Sequence, residues 1–181
     1  MIAIGIDAAF ANMGLARVSI IGNYVGCLGL QLVSTERLDK KVVRKSSDDL
    51  RRAIHLRDEL AAFCGLNSAT RLAFAEVPSG SLSAAAARSL GIAVGVLASC
   101  PVPIIEVSQR EVKMASVGKP TASKAEMIEW ATSLWPDANW LTKKGGGYVL
   151  ANEHLADAMA IVVAGTKTQE FKRLIALSEV A

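Results

Sequence analysis

Three carboxylates interrupt apolar sequence where a lone charge is hard to keep. Asp7 closes the run Ile4-Gly5-Ile6, Glu76 closes Leu72-Ala73-Phe74-Ala75, and Asp157 sits inside Leu155-Ala156-Asp157-Ala158-Met159-Ala160-Ile161. An ionised carboxylate among apolar neighbours is costly unless it is paired, hydrogen-bonded or bound to a metal. If strands ending at Asp7 and Glu76 are neighbours and the later helix crosses their ends, the three acids converge. Converging carboxylates repel one another, and divalent cations relieve that repulsion. Mg²⁺ and Mn²⁺ favour hard oxygen ligands and keep room for water and a phosphate oxygen. Two such ions about 3.5–4 Å apart activate an attacking water and stabilise the leaving oxygen of a phosphodiester.

His154 stands three residues before Asp157 and Glu153 four before, so both can share its helix face. The sequence does not choose between them. It also leaves open whether His154 ligates a metal or transfers a proton. Taken singly, each residue has a structural use: an aspartate after a strand often forms a turn, and a helical histidine is often only that. Glu76 before Val77-Pro78 has less of a turn role. The combination is the signal.

The elements that must position these groups can be read from periodicity. Ile2, Ile4 and Ile6 alternate with Ala3 and Gly5, which predicts a strand ending at Asp7. Strands over 14–20 and 25–33, joined by a Gly22-Asn23 turn, complete an antiparallel meander. A helix follows, capped by Ser46 or Ser47, with Asp48 and Asp49 in its first turn and Gly65 past its end. Its expected buried face is Leu50, Ile54, Leu60, Ala61 and Cys64. Then come a strand over 71–76 closed by Pro78-Ser79-Gly80, a small-residue helix over about 82–99 and a strand over 102–107. Helices over 123–134, 152–163 (capped by Asn152) and 168–177 complete the chain. A meander followed by alternating helix and strand predicts an α/β domain with a mixed sheet. On that helix over 82–99, Ala84, Ala87, Gly91 and Gly95 recur at helical spacing, which predicts close packing against the sheet, with a contact between two copies as the alternative. The longest irregular segment, 136–151, carries Lys143-Lys144-Gly145-Gly146-Gly147 and reads as a mobile binding loop.

A chain of 181 residues, 51% hydrophobic and 20% charged, suits one domain over 1–181. The net charge of +3 permits nucleic-acid binding without demanding it, so the position of each cation matters more than the total. Lys113, Lys119 and Lys124 flank a predicted helix start, where a phosphate would also meet free N–H groups. Lys143 and Lys144 can reach the same strand. A second cluster, Lys40, Lys41, Arg44 and Lys45, is diluted by Asp39, Asp48 and Asp49 and reads as a solvated surface. Cys27, Cys64 and Cys100 have no disulfide spacing and read as free thiols of a reducing compartment. The first residues lack a basic, long apolar leader, and the apolar stretch 84–100 is short for a membrane span and interrupted by Arg88. A cytoplasmic location without membrane contact is expected.

The ordered set of motifs resembles the RuvC-like crossover junction endodeoxyribonucleases (Holliday-junction resolvases) of the ribonuclease H-like superfamily. Ile4-Gly5-Ile6-Asp7 with Gly14-Leu15-Ala16 is similar to their opening strand and hairpin, and Ala73-Phe74-Ala75-Glu76 to their second catalytic strand. The small-residue helix around Leu90-Gly91 and Gly95-Val96 resembles the family's. So does the basic stretch from Val107-Ser108-Gln109-Arg110-Glu111-Val112-Lys113 to Ser123-Lys124-Ala125-Glu126. His154-Leu155-Ala156-Asp157-Ala158-Met159-Ala160 matches the last catalytic helix. The likeness covers most of 1–165. It implies a ribonuclease H-like mixed sheet flanked by helices, and a homodimer that nicks four-way DNA junctions. It further implies Mg²⁺ or Mn²⁺, two per site, on Asp7, Glu76, Asp157 and His154, with histidine where the family has aspartate or sometimes histidine.

Two departures stand out. Asp7 is followed by Ala8-Ala9, where the family commonly has Pro-Gly. After Glu76 comes Val77-Pro78-Ser79-Gly80, where the family often has an aromatic that enters the junction. A broader taste for branched DNA is the expectation that follows. The alternatives are an actin-like or sugar-kinase-type ATPase half-domain, a catalytically inactive branched-DNA-binding relative, and a YqgF-like RNA nuclease. The first needs a second domain and a glycine-rich phosphate turn that does not follow Asp7. The retained acids argue against the second, and the basic segment 113–124 favours the junction branch over the third.

Overall fold

The first strand sorts its side chains by parity. In β1 (Ile2–Asp7), Ala3, Gly5 and Asp7 point one way and Ile4 and Ile6 the other. β2 (Asn12–Ile21) and β3 (Tyr24–Ser34) pair antiparallel beside it. Their two-residue turn opens on Gly22 at φ 56°, a conformation that glycine adopts without a Cβ penalty. β4 (Thr70–Glu76) runs parallel to β1, and β5 (Ile104–Val107) parallel to β4. The structure is a computed structural model describing residues 1–39, 41–65, 69–80 and 83–178. The sheet order in it is β3-β2-β1-β4-β5, so β1 is central and mixed in its pairing. The expected α/β class with a mixed sheet is the one observed.

Helices cover both faces. α1 (Lys45–Gly65) and α2 (Ala84–Ala98) pack Leu56, Leu60, Phe63, Val96 and Leu97 onto Ile4, Ile6, Met13, Leu15, Ala73 and Ala75. The opposite face carries Ala3, Ala16, Val18, Leu72, Phe74 and Ile105. Over it lie α3 (Gln109–Ala115), α4 (Lys124–Leu134), α5 (Asn152–Gly165) and α6 (Gln169–Ser178). α5 lies against the sheet and beneath its neighbouring helices, which is why it is apolar on almost every side. Cys27, Cys64 and Cys100 are free thiols. Among the described residues no helix is long and apolar enough to cross a membrane.

Four expectations are corrected. α1 buries Leu56, Leu60, Phe63 and Cys64, while Leu50 (62% exposed) and Ile54 face solvent. Asp49 and Arg52 share the inward side because each is engaged: Asp49 Oδ2 meets Arg88 at 2.7 Å, and Arg52 donates to the Phe10 carbonyl at 3.1 Å. The stripe on α2 does not pack on the sheet. Ala84, Ala87, Gly91 and Gly95 are exposed, and a Cβ on either glycine would meet nothing within 4 Å. Residue 82, the expected start of that helix, lies outside the described residues, and Ser83 is the cap, accepting from the Ala86 N–H at 3.1 Å. Asn152 is not the cap of α5; it is its first residue, fully buried, with its side-chain amide bonded to Leu141. The segment 136–151, read as a mobile loop, is a hydrogen-bonded hairpin anchored near both ends. Asn139 bonds both backbone groups of Leu30 at 2.8 Å, and Thr142 bridges Tyr148.

Candidate active site

Two glycines decide where the acids meet. The parity of β1 puts Gly5 on the face that α5 crosses, and a Cβ there would lie 2.1 Å from the Ala158 carbonyl oxygen. At Gly14 of β2 a Cβ would lie 2.0 Å from the carbonyl oxygen of His154. Only bare backbone permits α5 to come this close, which is the meaning of a glycine inside a strand. The contact lays the first turns of α5 over the ends of β1 and β2. Asp7 is the register partner of Gly14 on one side and of Glu76 on the other. Asp7 and Glu76 therefore leave neighbouring strands side by side, while His154 and Asp157 arrive from the helix above.

The electrostatics follow. His154 Nδ1 lies 2.8 Å from Asp7 Oδ2, both half-buried, and that hydrogen bond chiefly raises the imidazole pKa against the pull of burial. Its Nε2 stands 3.5 Å from Glu153 Oε1. Asp157 is pushed up to about 7, first by burial and then by the charge of Asp7, with Glu76 and Glu153 adding to it and His154 opposing. Glu76 is raised by burial and by Asp7, with Lys113 opposing. Asp157 thus feels Asp7, Glu76 and Glu153, and Glu76 feels Asp7. Among the described residues, no three His, Cys, Asp or Glu side chains already surround one point as metal ligands do. One oxygen of Asp7 is instead taken by His154.

The expected DNA-contacting lysines are not equivalent. Lys124, first residue of α4, bonds Glu153 at 2.6 Å and feels the charges of Asp157 and Asp7, so it stands at the rim of the site. Lys113 acts on Glu76 from α3. Lys119 is engaged by Glu126. The start of α4 is less open to an anion than its sequence suggested. A capping box uses Glu126 Oε2 to accept from the Ser123 N–H, and Ser123 Oγ to accept from the Glu126 N–H. Lys143 lines a groove beside α4, and Lys144 is exposed next to it. Of the second cluster, Lys41, Arg44 and Lys45 precede or open α1, and Lys40 lies outside the described residues. The Glu153–Lys124 ion pair was not legible in the sequence, since 29 residues separate its partners. Gly5 and Gly14 did carry a signal, an interior strand glycine facing a helix.

No family model matches the sequence, and no curated protein does. Solved structures match over nearly the whole chain. RuvC of T. thermophilus, in complex with Holliday junction substrate, is 20% identical at a TM-score of 0.66, covering 91% of this chain and 92% of its own. A second Thermus thermophilus RuvC structure is 21% identical at a TM-score of 0.63, with the same coverage. The chain has the RuvC fold. It is the ribonuclease H-like arrangement expected from the motifs: a meander, two parallel strands and flanking helices. In the RuvC fold of this chain, the ends of β1 and β4 and the first turns of α5 are where the four candidate residues gather.

Proposed function

We propose that this chain is a Mg²⁺- or Mn²⁺-dependent endodeoxyribonuclease that cleaves phosphodiester bonds in branched DNA. It resolves four-way junctions by paired nicks as a homodimer. The observation that carries the reading is the gathering of Asp7, Glu76 and Asp157 on the RuvC fold, with Asp157 held near a pKa of 7 by burial and by its acidic neighbours. Three hard-oxygen donors that repel one another are a fit for divalent cations, and Asp7, Glu76 and Asp157 would hold them, with His154 beside them. Bound there, the cations would activate water and offset charge on the phosphate.

The protein's own residues do the rest. Asp7 and Glu76 are fixed in register on rigid strands, and Asp157 is fixed by the Gly5 and Gly14 contacts of α5. His154 holds a proton at Nδ1 against Asp7. With Nδ1–H held by Asp7, the free lone pair of a neutral His154 is at Nε2, so a proton from the attacking water would be taken there. Lys113 and Lys124 stand at the rim, where ammonium groups meet phosphates. Glu153 keeps Lys124 at that rim through the 2.6 Å ion pair.

The exposed α2 stripe supports the dimer. Ala84, Ala87, Gly91, Val94 and Gly95 face solvent beside Leu50 and Ile54 of α1, an uncovered apolar surface of the kind that marks a protein contact. Small residues there would let two helices approach closely, and a two-fold enzyme suits a two-fold junction. The central test is magnesium-dependent cleavage of a synthetic four-way junction by wild type and Asp7→Asn. Loss of cleavage in the variant is expected. Equal activity in both would overturn the reading.

A further inference from the structure

A groove of about 440 Å³ lies between α4 and the segment leading into α5, lined in part by Ala125, Ile128, Glu129, Lys143, Tyr148 and Leu150. Its outer wall is a tight hairpin. The Val149 N–H donates to Leu141 O at 3.2 Å, Thr142 bridges Tyr148, and the Lys143 N–H donates to Gly147 O at 2.9 Å. Gly145, Gly146 and Gly147 all adopt positive φ (106°, 95° and 79°), which lets the chain reverse within the tip. Asn152 fastens the base: its side chain donates to Leu141 O at 2.8 Å and accepts from the Leu141 N–H at 2.9 Å. Asn152 is fully buried and two residues from His154, so the hairpin is tied to the helix that carries the candidate site.

Three features select an occupant. Tyr148 (39% exposed) and Leu150 (64% exposed) leave an aromatic side chain partly and an aliphatic one largely uncovered on a surface where apolar groups gain by being covered. Lys143 lines the groove, with Lys144 next to it, while Glu129 on the α4 side repels phosphate and can accept from an amino group. The groove also begins at the rim of the acid cluster. Lys124 precedes Ala125 and bonds Glu153, and the Glu153 N–H donates to Leu150 O at 2.9 Å. Along α4, Ile128 is only about 6 Å beyond Lys124. The occupant must be flat and apolar on its faces, polar at its edge, and joined to negative charge that reaches the lysines. An unpaired nucleotide has all of these properties.

We propose that the groove is a nucleobase site, which takes a base displaced from pairing, stacks it on Tyr148 and holds its strand through Lys143 and Lys144. The inference rests on the nuclease reading above and adds a source of selectivity. Every base has a π-face, so an aromatic platform admits any unpaired base and rejects only those stacked in a duplex. Preference for branched over paired DNA would then arise at Tyr148, without sequence readout.

The probe is a forked DNA carrying 2-aminopurine at an unpaired position beside the fork, with a fully paired duplex of the same sequence as control, both in chelator. Wild type is expected to bind the fork more tightly than the duplex and to change the 2-aminopurine fluorescence. Tyr148→Phe keeps both properties. Tyr148→Ala binds the fork roughly 5- to 150-fold more weakly, loses the fluorescence change and binds the duplex as before. Leu150→Ser, at a more exposed position, should weaken the fork in the same selective way should Tyr148→Ala disturb the hairpin. Fork binding and fluorescence unchanged in both variants overturn the proposal, as does an equal loss on fork and duplex. A Tyr148→Ala protein altered only in self-association makes the groove a contact between copies, which also overturns it. Junction cleavage by wild type with an indifferent Tyr148 removes this inference alone, whereas a wild type that neither binds nor cuts branched DNA removes the nuclease reading with it.

Discussion

Replacing Gly14 by alanine violates the tightest contact in the candidate site. The new Cβ would stand 2.0 Å from the His154 carbonyl oxygen and 2.5 Å from its carbon, where ordinary contact begins at 3.4 Å. Both are backbone atoms of a helix, so no side chain can turn aside. The start of α5 must retreat by about 1.4 Å, the difference between 3.4 and 2.0 Å. Overpacking of this kind costs about 1–3 kcal/mol, which for a domain of this size lowers Tm by about 2–12 °C. Activity should fall further than stability does. Asp7 and Glu76 stay with the sheet while His154 and Asp157 move with the helix, and a misplacement of about 1 Å can cost on the order of 100-fold in rate. Single-turnover cleavage of a four-way junction, run beside thermal denaturation, measures both. Gly29→Ala is the control, because a Cβ there meets nothing within 4 Å. A Gly14→Ala protein that melts and cuts like the parent would refute the claim that close contact between α5 and β2 sets the site.

Three further outcomes are expected. The folded-state pKa of Asp157, about 7, lies above its ordinary 3.8, so its protonated form favours folding; that contribution is full below about pH 4 and is lost as pH rises through 7. Asp157→Asn should therefore raise the Tm of chelator-treated protein more at pH 8 than at pH 5, and the opposite order in paired melts would contradict the assignment. Lys113→Ala should weaken binding to all DNA sequences and reduce the slope of log K against log salt by about 0.9. Lys119→Ala should do less because Glu126 already engages that ammonium; identical slopes for wild type and Lys113→Ala in salt titrations would remove the phosphate contact. Gly91→Glu, placed where no atom lies near a Cβ, should fold without a clash and convert a dimer to a monomer by sedimentation at micromolar concentration. A monomeric wild type would remove the paired-nick mechanism.

Much of the fold was legible because it rests on local periodicity. The alternation of Ile2, Ile4 and Ile6, the Gly22-Asn23 turn and the apolar run around Asp157 each depend on neighbours a few residues away. What was misread depended on distant partners. The inward face of α1 includes Asp49 and Arg52, apolar periodicity cannot see them, and their partners are Arg88 and Phe10. The segment 136–151 has a loop's composition but is held by Asn139 on Leu30 and by Asn152 on Leu141, hydrogen bonds that no local pattern announces.

The candidate site divides along the same line. Sequence by itself determined that Asp7 and Glu76 end strands, that Asp157 lies on a helix bound for burial, and that His154 and Glu153 are both within its reach. Each is a matter of residue type and period. Only the tertiary structure decided how the last two are used: His154 turns Nδ1 to Asp7, and Glu153 takes Lys124 from α4. It also decided that the α2 stripe faces outward. The physical reason is the same in each case. A side chain's period is a property of its own element, but its partner is set by how closely two elements pack, and here that closeness was granted by Gly5 and Gly14.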